Sequence, residues 1–145
     1  MKKTFILDEN VIIAASKGSK YAFNLLELIV QNCHRIAFDA DLLDKYWKSL
    51  KRKRDEQFEV IRIVGQLTHH TEKCCYVPKE DFGQNPIPIH HQKDVFLVRI
   101  AQKIQCPPIF IVLTDKQSLR DINNSTQLKA LDIKEAISYA REANC

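Results

Sequence analysis

Short apolar runs alternate with amphipathic segments along most of the chain. An unbroken apolar run predicts a strand that is covered on both faces, as in the centre of a parallel sheet. The clearest example is the run at 109–113, which is followed by Thr114 and Asp115. The predicted strands are 4–7, 34–38, 109–113 and 128–131, with one further short strand within the irregular connection 68–92.

Between these runs, apolar residues recur at intervals of three and four, which predicts helices with one buried face. Asn10 is the expected cap of the first helix. Asp132 and Glu135 have the spacing of a capping box at the start of the last helix. The predicted helices are 11–16, 22–29, 41–54, 60–67, 94–104 and 132–140.

Strands that alternate with helices predict an α/β fold, with helices on both sides of a central parallel sheet. The architecture expected is therefore a three-layer α/β/α sandwich. A length of 145 residues fits one domain, so residues 1–145 are interpreted as a single unit.

Composition excludes several classes of protein. Only 3 of the residues are glycine, which argues against a glycine-rich nucleotide loop. No apolar run approaches the ~20 residues needed to span a bilayer, and the N-terminal stretch is too short for a signal peptide, so we expect a cytoplasmic protein without a membrane partner. The 5 cysteines are odd in number and lack framework spacing, which predicts reduced thiols. The net charge of +4 permits a polyanionic partner without requiring one.

Four carboxylates are expected at one edge of the sheet. Asp8, Asp39 and Asp115 follow predicted strands, and Asp94 precedes a predicted helix. The carboxyl ends of parallel strands share one edge, where ligands bind in such folds. Carboxylates gathered there repel one another unless a cation neutralises them, and Mg²⁺ or Mn²⁺ is the usual choice. The alternative for Asp39 and Asp94, taken singly, is a helix-capping role.

Three segments carry a family resemblance. Residues 5–13 (FILDENVII), 93–101 (KDVFLVRIA) and 109–119 (IFIVLTDKQSL) resemble the opening strand, the acidic segment and the late strand of PIN domains. The order and spacing agree over nearly the whole chain. The long connection before Asp94 is similar to that of the branch described as toxin components of toxin–antitoxin pairs.

The resemblance implies a divalent-metal-dependent endoribonuclease that hydrolyses RNA, with Mg²⁺ or Mn²⁺ as cofactor and a protein antitoxin as partner. By match to the family, Asp8, Asp94 and Asp115 are the catalytic metal ligands, and Asn10 orients the first of them. In that mechanism the metal activates water and stabilises the leaving oxygen.

The chain departs from the family at two acidic positions. Lys45 stands where the family has a glutamate, and Gln117 stands where it has a further acid. Asp39 is the candidate that compensates as a metal ligand. Fewer carboxylates weaken metal binding, so the number of metals and the activity of the site stay open at this point.

A basic helix is the second candidate for contact with RNA. Lys45, Lys48 and Arg52 follow the i, i+3, i+7 spacing of one stripe, which can bind phosphates. The alternative is a solvated helix face. Tyr46 and Trp47 on the same helix are interpreted as residues that pack in the core or in a homodimer.

Two other functions compete with the endoribonuclease. One is a PIN-like domain with a degenerate site that binds RNA or protein without cutting, a hypothesis motivated by Lys45 and Gln117. The other is a phosphotransfer domain of the same sheet architecture. Its aspartyl nucleophile would typically need an acid two residues after Asp8, where this chain has Asn10.

Overall fold

The computed structural model describes residues 2–51, 58–70, 72–77, 89, 94–104 and 107–145. In this part of the chain, five parallel strands form one sheet: β1 (Thr4–Leu7), β2 (Arg35–Phe38), β3 (Cys74–Tyr76), β4 (Ile109–Val112) and β5 (Lys129–Leu131). Their order is β3-β2-β1-β4-β5. Strand β1 is central and buried along its whole length, with β2 paired on one side and β4 on the other.

Seven helices in the described residues flank the sheet and complete the predicted three-layer α/β/α sandwich. They are α1 (Glu9–Ser16), α2 (Lys20–Gln31), α3 (Ala40–Leu50), α4 (Phe58–His69), α5 (Val95–Lys103), α6 (Lys116–Ser125) and α7 (Ile133–Ala140). Helix α2 packs along both α1 and α7. None of these described helices is long and apolar enough to cross a lipid bilayer.

The predicted helical faces are confirmed where the apolar spacing was regular. The stripe of α2 is fully buried, and so is most of the stripe of α4. The capping box is also confirmed. The Asp132 side chain accepts from the Glu135 backbone at 2.8 Å, and the Glu135 side chain accepts from the Asp132 backbone at 3.3 Å.

Helix starts differ from the prediction in two places. Helix α1 begins one residue before Asn10, so Asp8 and not Asn10 is its N-cap residue. Helix α3 begins at Ala40 and not at residue 41, because Asp39 caps it, as the capping alternative for Asp39 predicted. In both places a single aspartate, Asp8 or Asp39, connects the end of a strand to the start of the next helix.

Helix α6 was not predicted from the sequence. It buries only Ser118 and Ile122, so its segment lacks the apolar periodicity by which the other helices were recognised. Its start has a local signal, since the Asp115 side chain accepts a hydrogen bond from the Ser118 backbone at 3.1 Å.

The expectation of reduced thiols is wrong for two of the cysteines. Cys33 and Cys145 form a disulfide with a Cα–Cα distance of 5.4 Å, although they are 112 residues apart. Cys74 and Cys75 are free, and Cys106 lies outside the described residues. Pairing across that separation depends on where the fold brings two Cα atoms, which spacing along the chain does not encode.

Candidate active site at the carboxyl edge of the sheet

The two central strands bring their following residues to one edge. Strands β1 and β4 run parallel with Leu7 opposite Val112, so each ends at the same level of the sheet. The Asp8 backbone N–H continues this pairing by donating to the Val112 carbonyl at 3.0 Å. Asp8 therefore follows β1 directly, and Asp115 follows β4 after a short turn.

Asp8 is a buried carboxyl with one amide donor. Only 4 % of the residue is exposed, and Asn10 Nδ2 donates to Asp8 Oδ2 at 3.0 Å. Burial, and then the negative charge of Asp94, raise the pKa of Asp8 to about 6. The contribution of Asp94 places the two carboxyls within electrostatic reach of each other, although Asp94 follows 86 residues later in the sequence.

A single serine connects the other two candidate ligands. Ser118 is fully buried, and its Oγ lies 2.6 Å from Asp94 Oδ2 and 2.8 Å from Asp115 Oδ2. A hydroxyl has one proton to donate, so it cannot satisfy both carboxylate oxygens at once. The arrangement holds the two carboxyls close to one side chain, and the same Asp115 oxygen also accepts from the Ser118 backbone N–H at 3.1 Å.

Sequence reasoning missed Ser118 as a site residue. The available signal was its position three residues after Asp115, where an N-cap aspartate contacts the helix that it caps. The contact with Asp94 had no such local signal, because it joins the first turn of α6 to the start of α5.

Asp39 and Tyr46 lie on the neighbouring side of the same edge. Asp39 is buried, and its Oδ1 accepts from the Leu42 backbone at 2.8 Å, so its carboxylate caps α3. The Tyr46 hydroxyl is fully buried and donates to the Leu7 carbonyl. Burial and the charges of Asp8 and Asp39 raise the pKa of Tyr46 well above its ordinary value. The interpretation of Tyr46 as a core residue is confirmed.

The predicted basic stripe of Lys45, Lys48 and Arg52 has one half-buried member and one exposed member among the described residues. Lys45 is half-buried, and its Nζ lies 4.1 Å from the centre of the Phe96 ring, in the first turn of α5. Lys48 is exposed and pairs with Asp44 at 2.8 Å. Arg52 lies outside the described residues. The structure therefore brings Lys45 beside the helix that begins after Asp94, and it leaves Lys48 on the solvent side.

Potential metal ligands are brought together as pairs. Asp8 lies within electrostatic reach of Asp94, and Ser118 joins Asp94 to Asp115. Over the ranges that the structure describes, no three His, Cys, Asp or Glu side chains are placed to share one metal ion. Gln117, the second departure from the PIN pattern, donates to the Asp121 side chain at 2.9 Å on the exposed face of α6.

Comparison of the chain with protein-family models, with curated proteins and with solved structures found no match.

Removing the Ser118 hydroxyl should destabilise the fold. In Ser118→Ala the Asp94 carboxyl loses its only side-chain partner among the described residues, and an unsatisfied buried acceptor costs about 1–3 kcal/mol. Urea denaturation at neutral pH measures the change. Ser125→Ala, at the exposed end of the same helix, is the matched control and should change stability by less than about 0.5 kcal/mol. Equal stability of the two variants would show that the Ser118 bridge does not stabilise the protein.

Proposed function

We propose that the protein is a divalent-metal-dependent endoribonuclease of PIN-domain type, in which Asp8, Asp94 and Asp115 would come together around Mg²⁺ or Mn²⁺ when the cation binds. The observation that carries the proposal is that Asp8 and Asp94 are buried without an ion-pairing cationic side chain among the described residues. Each is only 4 % exposed, and within the described residues neither has a Lys, Arg or His nitrogen at ion-pair distance.

Buried carboxylates without a compensating cation cost free energy of folding. Groups that are buried at such a cost near the carboxyl edge of a parallel sheet are candidates for a functional site. Oxygen-only donors are the ligands that Mg²⁺ and Mn²⁺ prefer, so the residues present fit these cations in chemistry. The PIN resemblance of the surrounding segments selects RNA hydrolysis among the reactions that such a site could support.

The residues have separable roles in the proposed reaction. Asp8, Asp94 and Asp115 would bind the cation, which supplies charge neutralisation at the scissile phosphate and lowers the pKa of water. Asn10 orients the Asp8 carboxylate through its amide. Ser118 contacts both Asp94 and Asp115, and the Tyr46 hydroxyl donates to the Leu7 carbonyl next to Asp8.

A test of this proposal is cleavage of a long structured RNA by the purified protein. We expect fragments with Mg²⁺ or Mn²⁺ and none after addition of a chelator. Cleavage that persists in chelator would contradict the metal requirement. Retention of RNA in a binding assay, without any fragments under metal, would favour the second candidate below.

The second candidate is a PIN-like domain with a degenerate site that binds RNA or protein. It is favoured by Lys45, a cation beside the first turn of α5 where the family has a carboxylate. In that case the ammonium group would take part of the role of the metal by offsetting the charge of the carboxyls. The protein antitoxin, the homodimer, the cytoplasmic location and the phosphate-binding roles of Lys48 and Arg52 stay predictions from the sequence.

A further inference from the structure

A second site lies on the outer surface between α2 and α7. Here a solvent-open groove with a volume of about 200 Å³ lies between the two helices. The groove is lined by Tyr21, Asn24, Lys134, Ile137, Ser138 and Arg141.

The lining follows from the periodicity of the two helices. On α7 and its C-cap, the four lining residues have the spacing i, i+3, i+4 and i+7, which is one stripe of a helix. Ile137 is buried and forms an apolar floor, while the other three positions are polar and exposed. Helix α2 contributes Tyr21 and Asn24, one turn apart, as the opposite wall.

The polar groups of the groove are available to a ligand. Within the described residues, neither Lys134 nor Arg141 has a carboxylate at ion-pair distance. The side chains of Asn24 and Ser138 make no hydrogen bond there either, although Asn24 is half-buried. Two cations, an amide and a hydroxyl therefore converge on one groove, without an ion pair or side-chain hydrogen bond among the described residues.

Tyr21 adds an aromatic surface beside these charges. The residue is 57 % exposed, and the Lys134 ammonium lies 4.9 Å from the centre of its ring. An exposed ring next to cations is the combination on which nucleic-acid bases stack while their phosphates are bound. An isolated anion would use the cations but would have no need for the ring.

We propose that this groove binds a nucleotide unit, with the base against Tyr21 and the phosphate between Lys134 and Arg141. Asn24 offers a donor and an acceptor to the base edge, and Ser138 offers its hydroxyl to the sugar or phosphate. The unit is a free nucleotide or one residue of an RNA strand. The site is separate from the carboxyl edge and stands whether or not that edge cleaves RNA.

Titration of the isotope-labelled protein with AMP, followed by NMR of the backbone amides, tests the site. The Asp8→Asn background removes any cleavage from the experiment. We expect shifts in the first turns of α2 and along α7. AMP should bind at least about fivefold more tightly than adenosine or inorganic phosphate, since stacking on an aromatic ring contributes about 1–3 kcal/mol.

Two exposed substitutions assign the roles within the groove. Tyr21→Leu removes the ring face and Arg141→Gln removes a phosphate contact, so each should weaken AMP binding at least about fivefold. Tyr76→Leu and Arg120→Gln make the same changes at exposed positions outside the groove and should leave affinity unchanged.

The results distinguish a free nucleotide from an RNA strand as the ligand. A short oligoadenylate that binds more tightly than AMP, and is weakened by the same two variants, identifies an RNA strand. Equal or weaker binding identifies the free nucleotide. The proposal is overturned if AMP binds no more tightly than phosphate, if the groove amides do not shift, or if the control variants lose as much affinity. Because binding is read at α2 and α7 without cleavage, the result is independent of the nuclease assay.

Discussion

Asp8→Asn is expected to abolish metal-dependent RNA cleavage and, at the same time, to stabilise the protein at neutral pH. The substitution keeps the shape of the side chain and an oxygen that can accept from Asn10, but it removes a charge that the proposed metal requires. Cleavage should fall to the background of the assay. Undiminished cleavage by this variant would overturn the nuclease proposal.

The gain in stability follows from the direction of the pKa shift. Burial and the charge of Asp94 raise the pKa of Asp8 to about 6 in the folded protein, from an ordinary value of 3.8 in the unfolded chain, so the folded state binds the proton more tightly. Ionisation of Asp8 therefore lowers the stability of the wild type as pH rises between about 4 and 6, and the loss persists above that range. Asp8→Asn has no such loss and should be more stable at neutral pH by up to about 3 kcal/mol.

Urea denaturation in chelator, at neutral pH and near pH 4, measures the difference. The two proteins should be most different at neutral pH and nearly equal under the acidic condition. Asp132→Asn is the matched control, since it makes the same change at an exposed strand end, where asparagine caps the helix equally well. A variant that is less stable than the wild type at neutral pH would contradict the electrostatic cost assigned to Asp8.

In a second series without chelator, Mn²⁺ should stabilise the wild type but not Asp8→Asn, because only the wild type keeps the charged ligand.

Lys45→Glu is expected to tighten Mn²⁺ binding by about tenfold or more. The substitution replaces a cation beside the start of α5 with a carboxylate that attracts the metal, and a tenfold gain in affinity corresponds to about 1.4 kcal/mol. The ammonium lies 4.1 Å from the Phe96 ring centre, and Phe96 is two residues after Asp94. Without metal the same variant should be less stable, because it adds a like charge and loses the contact with the ring.

Lys48→Glu provides the control for charge alone. It lies on the same helix and changes the net charge equally, but Lys48 is exposed and paired with Asp44 on the solvent side. Calorimetric titration of Mn²⁺ into both variants should show tighter binding only for Lys45→Glu. Equal affinities would mean that Lys45 is not close enough to the carboxyls to influence the metal. The degenerate-site hypothesis would then lose its main support.

Part of the candidate site could be predicted from the sequence because strand ends are local features. Apolar runs lead to Asp8 and Asp115, and the carboxyl ends of neighbouring parallel strands meet at one edge. The roles of Ser118 and Lys45 could not be predicted in this way. Ser118 reaches Asp94 across 24 residues, and Lys45 reaches the Phe96 ring across 51 residues, so neither contact has a local signal in the sequence.

The periodic pattern by itself determined the alternating elements, their buried faces and the α/β class, since each depends on residues within a few positions of one another. It did not determine α6, whose polar sequence is held in a helix by the Asp115 cap and two buried residues. Only the tertiary structure decided the strand order β3-β2-β1-β4-β5, the Cys33–Cys145 disulfide and the α2–α7 groove. All three join residues far apart in the chain, and their proximity comes from packing of the whole domain.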